Sequence, residues 1–485
     1  MSAPVAGSFL ARVFDAALPG GVNAPSFPVF NPATGVKITQ VADMGPAETE
    51  GAIAKAYEAQ KLWAKETAKA RAKLLMAWYD LILEHQEDLA QLLTLEMGKP
   101  LVEARGEIGF GATFIEWFAE EGKRLYGDMI PTNMPERRLM VLKQPIGVVA
   151  AITPWNFPNA MITRKIAPAL AAGCSCVLKP AEDTPLSAVA LAILADDAGL
   201  PDGLINIITA QNAPAVAKVL TEHPDVRKLS FTGSTRVGKL LMKGCADSVK
   251  KVSLELGGNA PFIVFEDADI DAAVQGALLS KYRNAGQTCV SSNRFYIHEN
   301  VFSAFAEKLT AVVDAMTVGD GMGDGTTVGP LINNAALTKV LGLVKGALDA
   351  GAKAVTGGGV HPHGENYFEP TILVDAKNDM EIAQAEIFGP VAVLYSFKTE
   401  EEVILSANDT PYGLAAYCYT RDMARCWRMS EALEYGMVAI NEGTVASEAA
   451  PFGGVKQSGI GREGSKYGLD DFTEIKCVSM AGIGG

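Results

Sequence analysis

The sequence has no long apolar run, and its first 20 residues do not follow the arrangement expected of a secretory signal. None of its 485 residues belongs to a continuous apolar stretch of about 18 residues, the length that a membrane-spanning helix requires. The first 20 residues carry Arg12 and Asp15 inside their apolar part, so they lack the order of a secretory signal and predict a weakly amphipathic helix. We therefore expect a cytoplasmic protein that does not insert into a membrane.

Cysteine and histidine are scarce and scattered. The seven cysteines form no CxxC pair, and an odd, dispersed set favours a reducing compartment over a disulfide framework. Two of the five histidines, His361 and His363, lie in a stretch with Pro and Gly that predicts a solvent loop rather than a metal site. The segment GDGMGDGT has glycines where a calcium loop needs oxygen ligands, so no metal is expected.

Basic residues are in deficit. The chain has 42 Lys and Arg against 56 Asp and Glu, a formal net charge of −14. Nucleic acids and anionic membranes require broad basic patches, so neither is expected as a partner. If the substrate is an anion, a few cations placed locally must bind it.

Two alternations of apolar and amphipathic segments make up most of the chain. Residues 46–97 have apolar side chains at helical spacing. From about 145, strand-like and helix-like segments alternate, beginning with GVVAAITP and AMITRKIAPALAA, and a second alternation starts near 260 with PFIVF. This pattern predicts an α/β fold with two doubly wound domains, and the cleft between them is the natural site for a cofactor to meet a substrate.

Two strand-like segments, 137–145 and 472–480, fit neither alternation. Both can pair across a subunit boundary in an oligomer. A simple edge hairpin is the alternative.

Cys289 differs from the other cysteines in its surroundings. It follows a helix-like segment in the polar, Gly-containing turn NAGQTC, whereas Cys174, Cys176 and Cys418 lie in apolar, strand-like runs that predict core packing. A thiol is mostly protonated at neutral pH, so a nucleophilic cysteine needs an activating environment. Without such neighbours Cys289 is equally consistent with an inert loop thiol.

Two residues can supply that environment. Glu255 lies 34 residues before Cys289, where a strand meets a Gly-Gly turn, and a carboxylate there can project into a cleft as a general base. Asn156 in TPWNFP offers side-chain N–H donors to an oxyanion. Taken singly, each signal is weak, and TPWNFP also fits a Pro-rich loop with a packed Trp155.

Two turns between a strand and a helix are candidate nucleotide-binding segments. GSTRVG, Gly233 to Gly238, opens a helix whose N-terminus can face a phosphate, although many such turns contain two glycines. KPAE at 179–182 ends a strand, and Lys179 and Glu182 can hydrogen-bond a ribose. Glu182 would disfavour a 2′-phosphate there.

Seven motifs occur in register between about 150 and 460: TPWNFP, KPAE, FTGST, ELGG, GQTC, EIFGP and PFGG. Together they resemble the aldehyde dehydrogenase superfamily. The resemblance implies that Cys289 is the nucleophile, Glu255 the general base and Asn156 the oxyanion donor beside the Cys289 backbone N–H. It implies a thiohemiacetal, then a thioester that water hydrolyses, with NAD or NADP as cofactor. The residues it places at the cofactor are Thr153, Pro154, Trp155, Lys179, Pro180, Ala181, Glu182, Gly233, Ser234, Thr235, Arg236, Val237, Gly238, Leu256, Glu386 and Phe388.

The same resemblance implies a domain organisation. Residues 1–122 and 146–257 would form a discontinuous dinucleotide-binding domain, and 258–457 the catalytic domain. Residues 123–145 and 470–485 would be oligomerisation strands, a small β extension. A homotetramer built as a dimer of dimers is expected.

Longer segments, among them KYRNAGQTCVSSNRFY and PFGGVKQSGIGREGSKYGLDDFTEIK, are similar to the succinate-semialdehyde dehydrogenase branch of that superfamily. Two arginines bind the substrate carboxylate in that branch, and they correspond to Arg164 and Arg283. An acidic protein that binds a small anionic aldehyde needs such a guanidinium fork. A structural ion pair is the alternative for each arginine.

Two positions depart from the branch. Ala446 stands where relatives have a Ser that helps to bind the carboxylate, so the adjacent Ser447 is the candidate ligand and glutarate semialdehyde or another short ω-oxo acid stays open as substrate. Ser291 stands where some relatives carry the second Cys of a redox-switch disulfide. No such switch is expected.

Cofactor choice and two other functions also stay open. Glu182 favours NAD, but Lys179 nearby can tolerate NADP. A cysteine-dependent ester hydrolase would need no cofactor, and it would leave KPAE and EIFGP without a role. A catalytically silent structural protein would be expected to lose Cys289 or Glu255, and both are present.

Overall fold

The computed structural model describes residues 7–19, 21 and 24–482, and its N-terminal part is mostly helical. Ser8 caps the first helix by accepting a hydrogen bond from the Ala11 N–H. Among the described helices, none combines the length and the apolar character needed to cross a membrane. The elements of this part are α1 (Phe9–Ala17), β1 (Ser26–Phe30), β2 (Lys37–Ala42), α2 (Pro46–Trp63), α3 (Ala68–Glu84), α4 (Gln86–Met97), α5 (Leu101–Glu121), β3 (Asp128–Ile130) and β4 (Arg137–Pro145).

Five parallel strands joined by helices form the first large sheet, in the order β9-β8-β5-β6-β7. Strands β5 and β6 are buried along their whole length because helices cover both faces. The elements are β5 (Val148–Ile152), α6 (Ala160–Ala172), β6 (Ser175–Lys179), α7 (Leu186–Asp197), β7 (Ile205–Ile207), α8 (Ala213–Glu222), β8 (Val226–Thr232), α9 (Thr235–Cys245) and β9 (Lys251–Glu255).

A second sheet has seven strands, all parallel except the first edge strand, in the order β12-β13-β14-β11-β10-β15-β16. The elements are β10 (Ala260–Val264), α10 (Ile270–Lys281), β11 (Ser292–His298), α11 (Phe302–Asp314), α12 (Asn334–Asp349), β12 (Lys353–Thr356), β13 (Thr371–Val374), α13 (Glu381–Gln384), β14 (Val391–Phe397), α14 (Glu400–Asn408), β15 (Ala415–Tyr419), α15 (Met423–Ala432) and β16 (Met437–Ile440).

The C-terminal segment contributes two further strands, β17 (Gly459–Ile460) and β18 (Thr473–Ala481). Strand β17 returns to the first sheet and pairs antiparallel with the end of β9. Strand β18 pairs antiparallel with β4 along nine residues, and β3 completes this third sheet. The two segments that fit neither alternation therefore pair with each other within one chain.

The strand order of the first sheet opens a crevice at its carboxyl edge. Strand β5 lies between β6 and β8, so the chain leaves β5 and β8 in opposite directions. Ligands bind at such a reversal because the loops there diverge. Asn156 follows β5, Gly233 follows β8 and Glu255 ends β9, so this edge gathers three of the motifs.

The two predicted alternations are confirmed as two parallel sheets, with one local error. The helix expected to run through NAG ends at Lys281, because Asn284 and Ala285 have left-handed backbone angles, φ 55° and 53°. The hairpin of β1 and β2 was not predicted from the sequence. This left-handed turn lies directly before the loop that carries Cys289.

Candidate active site

A cavity of about 560 Å³ lies where the carboxyl edge of the first large sheet meets loops of the second, among them those that precede β11 and β14. Residues after β5, β8 and β9 line it from the first sheet, and residues 288–290 line it from the second. The residues predicted for the site that line this cavity are Pro154, Trp155, Asn156, Arg164, Gly233, Ser234, Leu256, Arg283, Cys289, Glu386 and Phe388.

The other predicted residues lie beyond the lining of this cavity. Glu255 is buried at the end of β9. The Ser447 hydroxyl contacts the neighbouring Glu448 carboxylate at 3.3 Å instead of facing the cavity. The remaining predicted residues outside the lining belong to the strand ends and to the first turn of α9: Thr153, Lys179, Pro180, Ala181, Glu182, Thr235, Arg236, Val237 and Gly238.

Cys289 sits between the left-handed turn and β11, with its side chain partly buried. Burial raises the pKa of its thiol to about 12, the nearby charge of Arg164 lowers it, and the charges of Glu386 and Glu255 raise it. The thiol is therefore protonated at neutral pH and needs a base. The loop approaches Gly258 of ELGG so closely that a Cβ there would lie 2.2 Å from the Cys289 carbonyl oxygen, which accounts for the glycine.

The Asn156 side chain and backbone are both held. Its Nδ2 donates to the carbonyl of Gln287 at 2.9 Å, two residues before Cys289. Its own carbonyl accepts from Lys99 Nζ at 2.8 Å and from Asn284 Nδ2 at 3.0 Å. The amide of Asn156 is thus fixed beside the loop of Cys289, the position that the predicted role of oxyanion donor requires.

Glu255 is held in a buried group of charges. Burial raises the pKa of its carboxyl well above the usual value, as does the charge of Glu463, against the opposing charges of Arg164 and Lys165. One of its oxygens, Oε2, has no hydrogen-bond partner among the described residues. A Cβ at Gly453 of PFGG would lie 2.8 Å from its other oxygen, so that glycine leaves room for the carboxylate.

Glu463 was not singled out by sequence reasoning, although it lies in the GREG part of a quoted segment. Burial alone would raise its pKa, but the charges of Lys165 and Arg164 bring it below the usual value. It contacts Lys165 Nζ directly, and its Oε2 lies 2.9 Å from Arg164 Nε. No pattern around it indicated this role, because its partners are nearly 300 residues away in the sequence.

The two predicted substrate arginines differ in their partners. The Arg164 guanidinium is buried, pairs with Glu463 and stacks 4.1 Å from the centre of the Phe452 ring. Arg283 has no ion pair and no hydrogen bond with any residue that the structure describes, and its nearest ring is Phe157 at 5.6 Å. Arg283 is therefore the cation that can accept a new anion without losing a partner.

Glu386 and Phe388 line the cavity beside Trp155. Glu386 Oε1 accepts the N–H of Gly258 at 2.9 Å, and burial raises the pKa of its carboxyl. The Phe388 ring packs edge-on against Trp155, with ring centres 5.5 Å apart. A Cβ at Gly257 would lie 2.9 Å from Glu386 Oε2, so this glycine leaves room for the Glu386 carboxylate.

Helix α9 begins at the mouth of the cavity. Ser234 caps it by accepting the Val237 N–H at 3.3 Å, and its first turn carries no acidic side chain. A Cβ at Gly238 would lie 2.4 Å from Leu256, so glycine lets the helix approach the end of β9. The free N–H groups of such a helix end suit a phosphate.

Lys179 and Glu182 lie together at the end of β6. The Lys179 side chain is buried, and its Nζ lies 3.2 Å from the half-exposed Glu182 carboxylate. The pair faces the same edge of the sheet as α9. This arrangement fits the ribose ligands predicted from KPAE.

Helix α5 lines the cavity from a side that the sequence did not indicate. The residues it contributes are Glu103, Gly106, Glu107 and Phe110, and Lys99 lines the cavity just before the helix begins. The helical pattern predicted from the sequence ended at residue 97, and no role was predicted for the residues of this helix. The only available signal was a charged residue on the apolar face of a helix, as at Glu107.

Comparison with known proteins agrees with this geometry. The model of the "Aldehyde dehydrogenase family" matches residues 21–478. The succinate-semialdehyde dehydrogenase [NADP(+)] of Escherichia coli is 57% identical over 94% of this chain and 95% of its own. The 3-sulfolactaldehyde dehydrogenase of Pseudomonas putida is 56% identical over 94% of each chain. A glutarate-semialdehyde dehydrogenase of Pseudomonas aeruginosa is 56% identical over 95% of each.

Solved structures agree as well. An Escherichia coli NADP-dependent enzyme superposes with a TM-score of 0.94 at 57% identity and 95% coverage of both chains. A succinate-semialdehyde dehydrogenase from Burkholderia pseudomallei gives 0.93 at 57% identity and 94% coverage of both. The fold and the resemblance predicted from the motifs are confirmed.

Proposed function

Because this chain belongs to the aldehyde dehydrogenase family, we propose that it oxidises succinate semialdehyde to succinate through a thioester on Cys289. The observation that carries this assignment is the Arg283 guanidinium, which lines the cavity with no partner among the described residues, six positions before Cys289. Relatives with this activity in their names are 55% to 57% identical to the chain.

We propose that Cys289 adds to the aldehyde carbon of the substrate. The carbonyl oxygen then becomes an oxyanion, which the Asn156 amide and the Cys289 backbone N–H stabilise. The thiol must first lose its proton, which passes to solvent water, since burial keeps its pKa at about 12. The positive charge of Arg164 favours the thiolate.

Glu255 acts in the second half of the reaction. Once hydride has left, the former aldehyde carbon is an acyl group in thioester linkage with Cys289. Glu255 removes a proton from a water molecule, which attacks this carbon, so that the acid leaves and the Cys289 thiol re-forms. The raised pKa of Glu255 suits a base that works near or above neutral pH.

The residues of the crevice fit a nicotinamide dinucleotide. The first turn of α9 would hold the pyrophosphate, Lys179 and Glu182 the adenosine ribose, and Glu386 with Phe388 the nicotinamide end. The position of Gly233, Ser234, Glu386 and Phe388 in the lining of the cavity supports this fit. When bound, the nicotinamide ring accepts the hydride that leaves the aldehyde carbon.

Between the two dinucleotides, we propose a preference for NAD. The Glu182 carboxylate is half exposed, and it would repel a 2′-phosphate on the ribose. Two of the relatives carry NADP in their names, so the preference rests on this residue of the chain itself.

Glutarate semialdehyde and 3-sulfolactaldehyde are the second candidate substrates. The observation that favours them is Ala446, which lines the cavity where the resemblance expected a Ser and provides no hydroxyl to fix the position of a carboxylate. Relatives named for these substrates match the chain as closely as those named for succinate semialdehyde.

We further propose the predicted domain organisation and a homotetramer. The first and second sheets would be the cores of a dinucleotide-binding domain (1–122 and 146–257) and a catalytic domain (258–457). The third sheet, within 123–145 and 470–485, would form the oligomer contact. Its exposed apolar side chains support that role. Seven free cysteines support a cytoplasmic location.

The reaction is tested by following reduction of NAD and NADP by absorbance. Succinate semialdehyde, glutarate semialdehyde, 3-sulfolactaldehyde and the uncharged butanal are the substrates to compare. We expect kcat/KM to be highest with succinate semialdehyde and NAD. No reduction with any aldehyde would refute the proposed activity, and a higher kcat/KM for butanal than for all three anions would refute the anion site.

A further inference from the structure

A buried ion pair lies beside the site without taking part in the reaction as described. Lys99 Nζ and Glu107 Oε2 are 2.6 Å apart, and the two side chains are 0% and 1% exposed. Both residues line the cavity. Isolating two charges from water costs several kcal/mol per ion, and such a pair adds little stability over apolar residues of the same shape.

Glu107 links this pair to helix α6. Its Oε1 accepts the backbone N–H groups of Asn159 at 2.9 Å and Ala160 at 3.2 Å. Asn159 precedes the first residue of α6 and makes no side-chain capping bond of its own. Glu107 on α5 therefore supplies the N-terminal cap of the helix that follows the TPWNFP loop.

Lys99 links the pair to that loop itself. Its Nζ donates to the Asn156 carbonyl at 2.8 Å and lies 3.9 Å from the centre of the Phe157 ring. Burial lowers the pKa of Lys99, and the carboxylate of Glu107 raises it. The ammonium thus holds the backbone of Asn156 and the ring of Phe157 in this loop, where a shift of about 1 Å can reduce the rate 10²-fold.

We infer that Lys99 and Glu107 are a positioning pair for Asn156: Glu107 fixes the start of α6, and Lys99 fixes the carbonyl of Asn156 so that its amide points at the oxyanion. The inference rests on the proposed oxyanion role of Asn156. Neither residue touches the reacting atoms in this scheme.

The test replaces the pair by neutral side chains of similar size, Lys99→Met with Glu107→Gln. The glutamine oxygen can still accept from the start of α6, so the fold is expected to persist. We expect kcat to fall about 10- to 100-fold, while KM for butanal and Kd for the dinucleotide change less than about twofold. The rate of Cys289 alkylation by iodoacetamide should stay unchanged.

A double-mutant cycle with Asn156→Ala separates positioning from general damage. If the pair acts through Asn156, the paired change should reduce kcat less than about twofold further in the Asn156→Ala background. If the paired change reduces kcat by the same factor in the Asn156→Ala background as in the original protein, the inference is overturned. An unchanged kcat in Asn156→Ala alone would instead refute the oxyanion role in the proposed function, and the positioning role with it.

Two further variants complete the design. The exposed pair Arg105 and Glu87 also joins α5 to α4, with Arg105 Nε 2.7 Å from a Glu87 oxygen, so Arg105→Met with Glu87→Gln is the matched control and should keep full kcat. Should the buried replacement fail to fold, Glu107→Gln alone repeats the cycle with Lys99 retained. The inference is also overturned if Glu107→Gln reduces kcat as much in the Asn156→Ala background as it does in the original protein.

Discussion

Arg283 and Arg164 both line the cavity, yet only Arg164 already has an anionic partner. Arg283→Ala should therefore raise KM for succinate semialdehyde about 10- to 100-fold. Hydrogen bonds to a charged group contribute about 1.5–3 kcal/mol, and a loss of this free energy corresponds to that change in KM. The constants for butanal should change little, because that substrate has no carboxylate. Steady-state kinetics with both aldehydes measures the difference.

Arg164→Ala is the informative comparison for Arg283→Ala. It would leave Glu463 with one cation fewer and remove a positive charge that favours the Cys289 thiolate. Both aldehydes should then lose kcat. Equal losses for both aldehydes in Arg283→Ala would contradict its role as the carboxylate ligand.

Glu182 sets the cofactor prediction. Glu182→Ser removes the charge that would repel a 2′-phosphate and leaves Lys179 free to bind it. We expect kcat/KM with NADP to rise relative to NAD by at least about tenfold, the equivalent of ~1.4 kcal/mol. Parallel titrations with the two dinucleotides measure this ratio, and an unchanged ratio would mean that other residues choose the cofactor.

Glu255 gives the reaction its expected pH dependence. Its pKa lies well above the usual value, so the fraction of ionised base, and with it kcat, should still rise with pH above the range in which an ordinary carboxyl is fully ionised. Glu255→Gln should lose about 10²- to 10⁴-fold in kcat and the rising limb of the profile. Stopped-flow measurement should still detect reduced dinucleotide up to one equivalent per enzyme, since the acyl group forms without Glu255 acting on water.

Among the elements, α7 depends on a carboxylate from another helix. Glu96 on α4 accepts the N–H groups of Leu186 and Ser187 at 2.8 and 2.9 Å, and α7 has no side-chain cap of its own. Glu96→Gln retains one acceptor oxygen, so one buried N–H loses its partner. The free energy of unfolding should fall by about 1–2 kcal/mol. Denaturant unfolding measures the change, with the exposed Glu84→Gln as control.

The elements were largely predictable from local patterns. Strands β5, β6 and β8 are short, mostly buried segments with an apolar centre, separated by amphipathic helices, so the alternation alone places them. The Asn284–Ala285 turn was not predictable, because its left-handed angles oppose the helical pattern of the preceding segment. The Asn284 N–H is satisfied by Glu103, 181 residues away, and such a contact leaves no local pattern.

The residues of the candidate site also fall into two groups, those that local sequence patterns predict and those that they do not. Cys289, Asn156 and Glu255 lie in short motifs at the ends of strands, where chemistry and turn residues coincide, and the sequence predicts them. Glu463 and Lys99 are defined only by distant partners, so their roles depend on the packing of helices that no motif specifies. Resemblance supplied the cofactor residues, which spacing alone would have left open.

At the scale of the whole molecule, the third sheet leads to a prediction about assembly. Ile475 on β18 is 72% exposed and Leu142 on β4 41% exposed, although both are large and apolar. If this sheet forms the oligomer contact, Ile475→Lys should reduce the mass measured by light scattering. Leu405→Lys, at a site 73% exposed on α14, is the matched control and should leave the mass unchanged.

The pairing of β17 with β9 limits where the chain can be divided into two separately expressed fragments. It covers the outer edge of β9 with residues 459 and 460, although β9 ends some 200 residues earlier at Glu255. The Ser458 hydroxyl next to it donates to the Gly257 carbonyl at 2.7 Å and accepts the Gly413 N–H at 2.9 Å. A fragment ending at residue 257 would thus expose β9 as an unpaired edge and should aggregate through it. Co-expressed halves divided there should regain activity only if the second half delivers β17 to that edge.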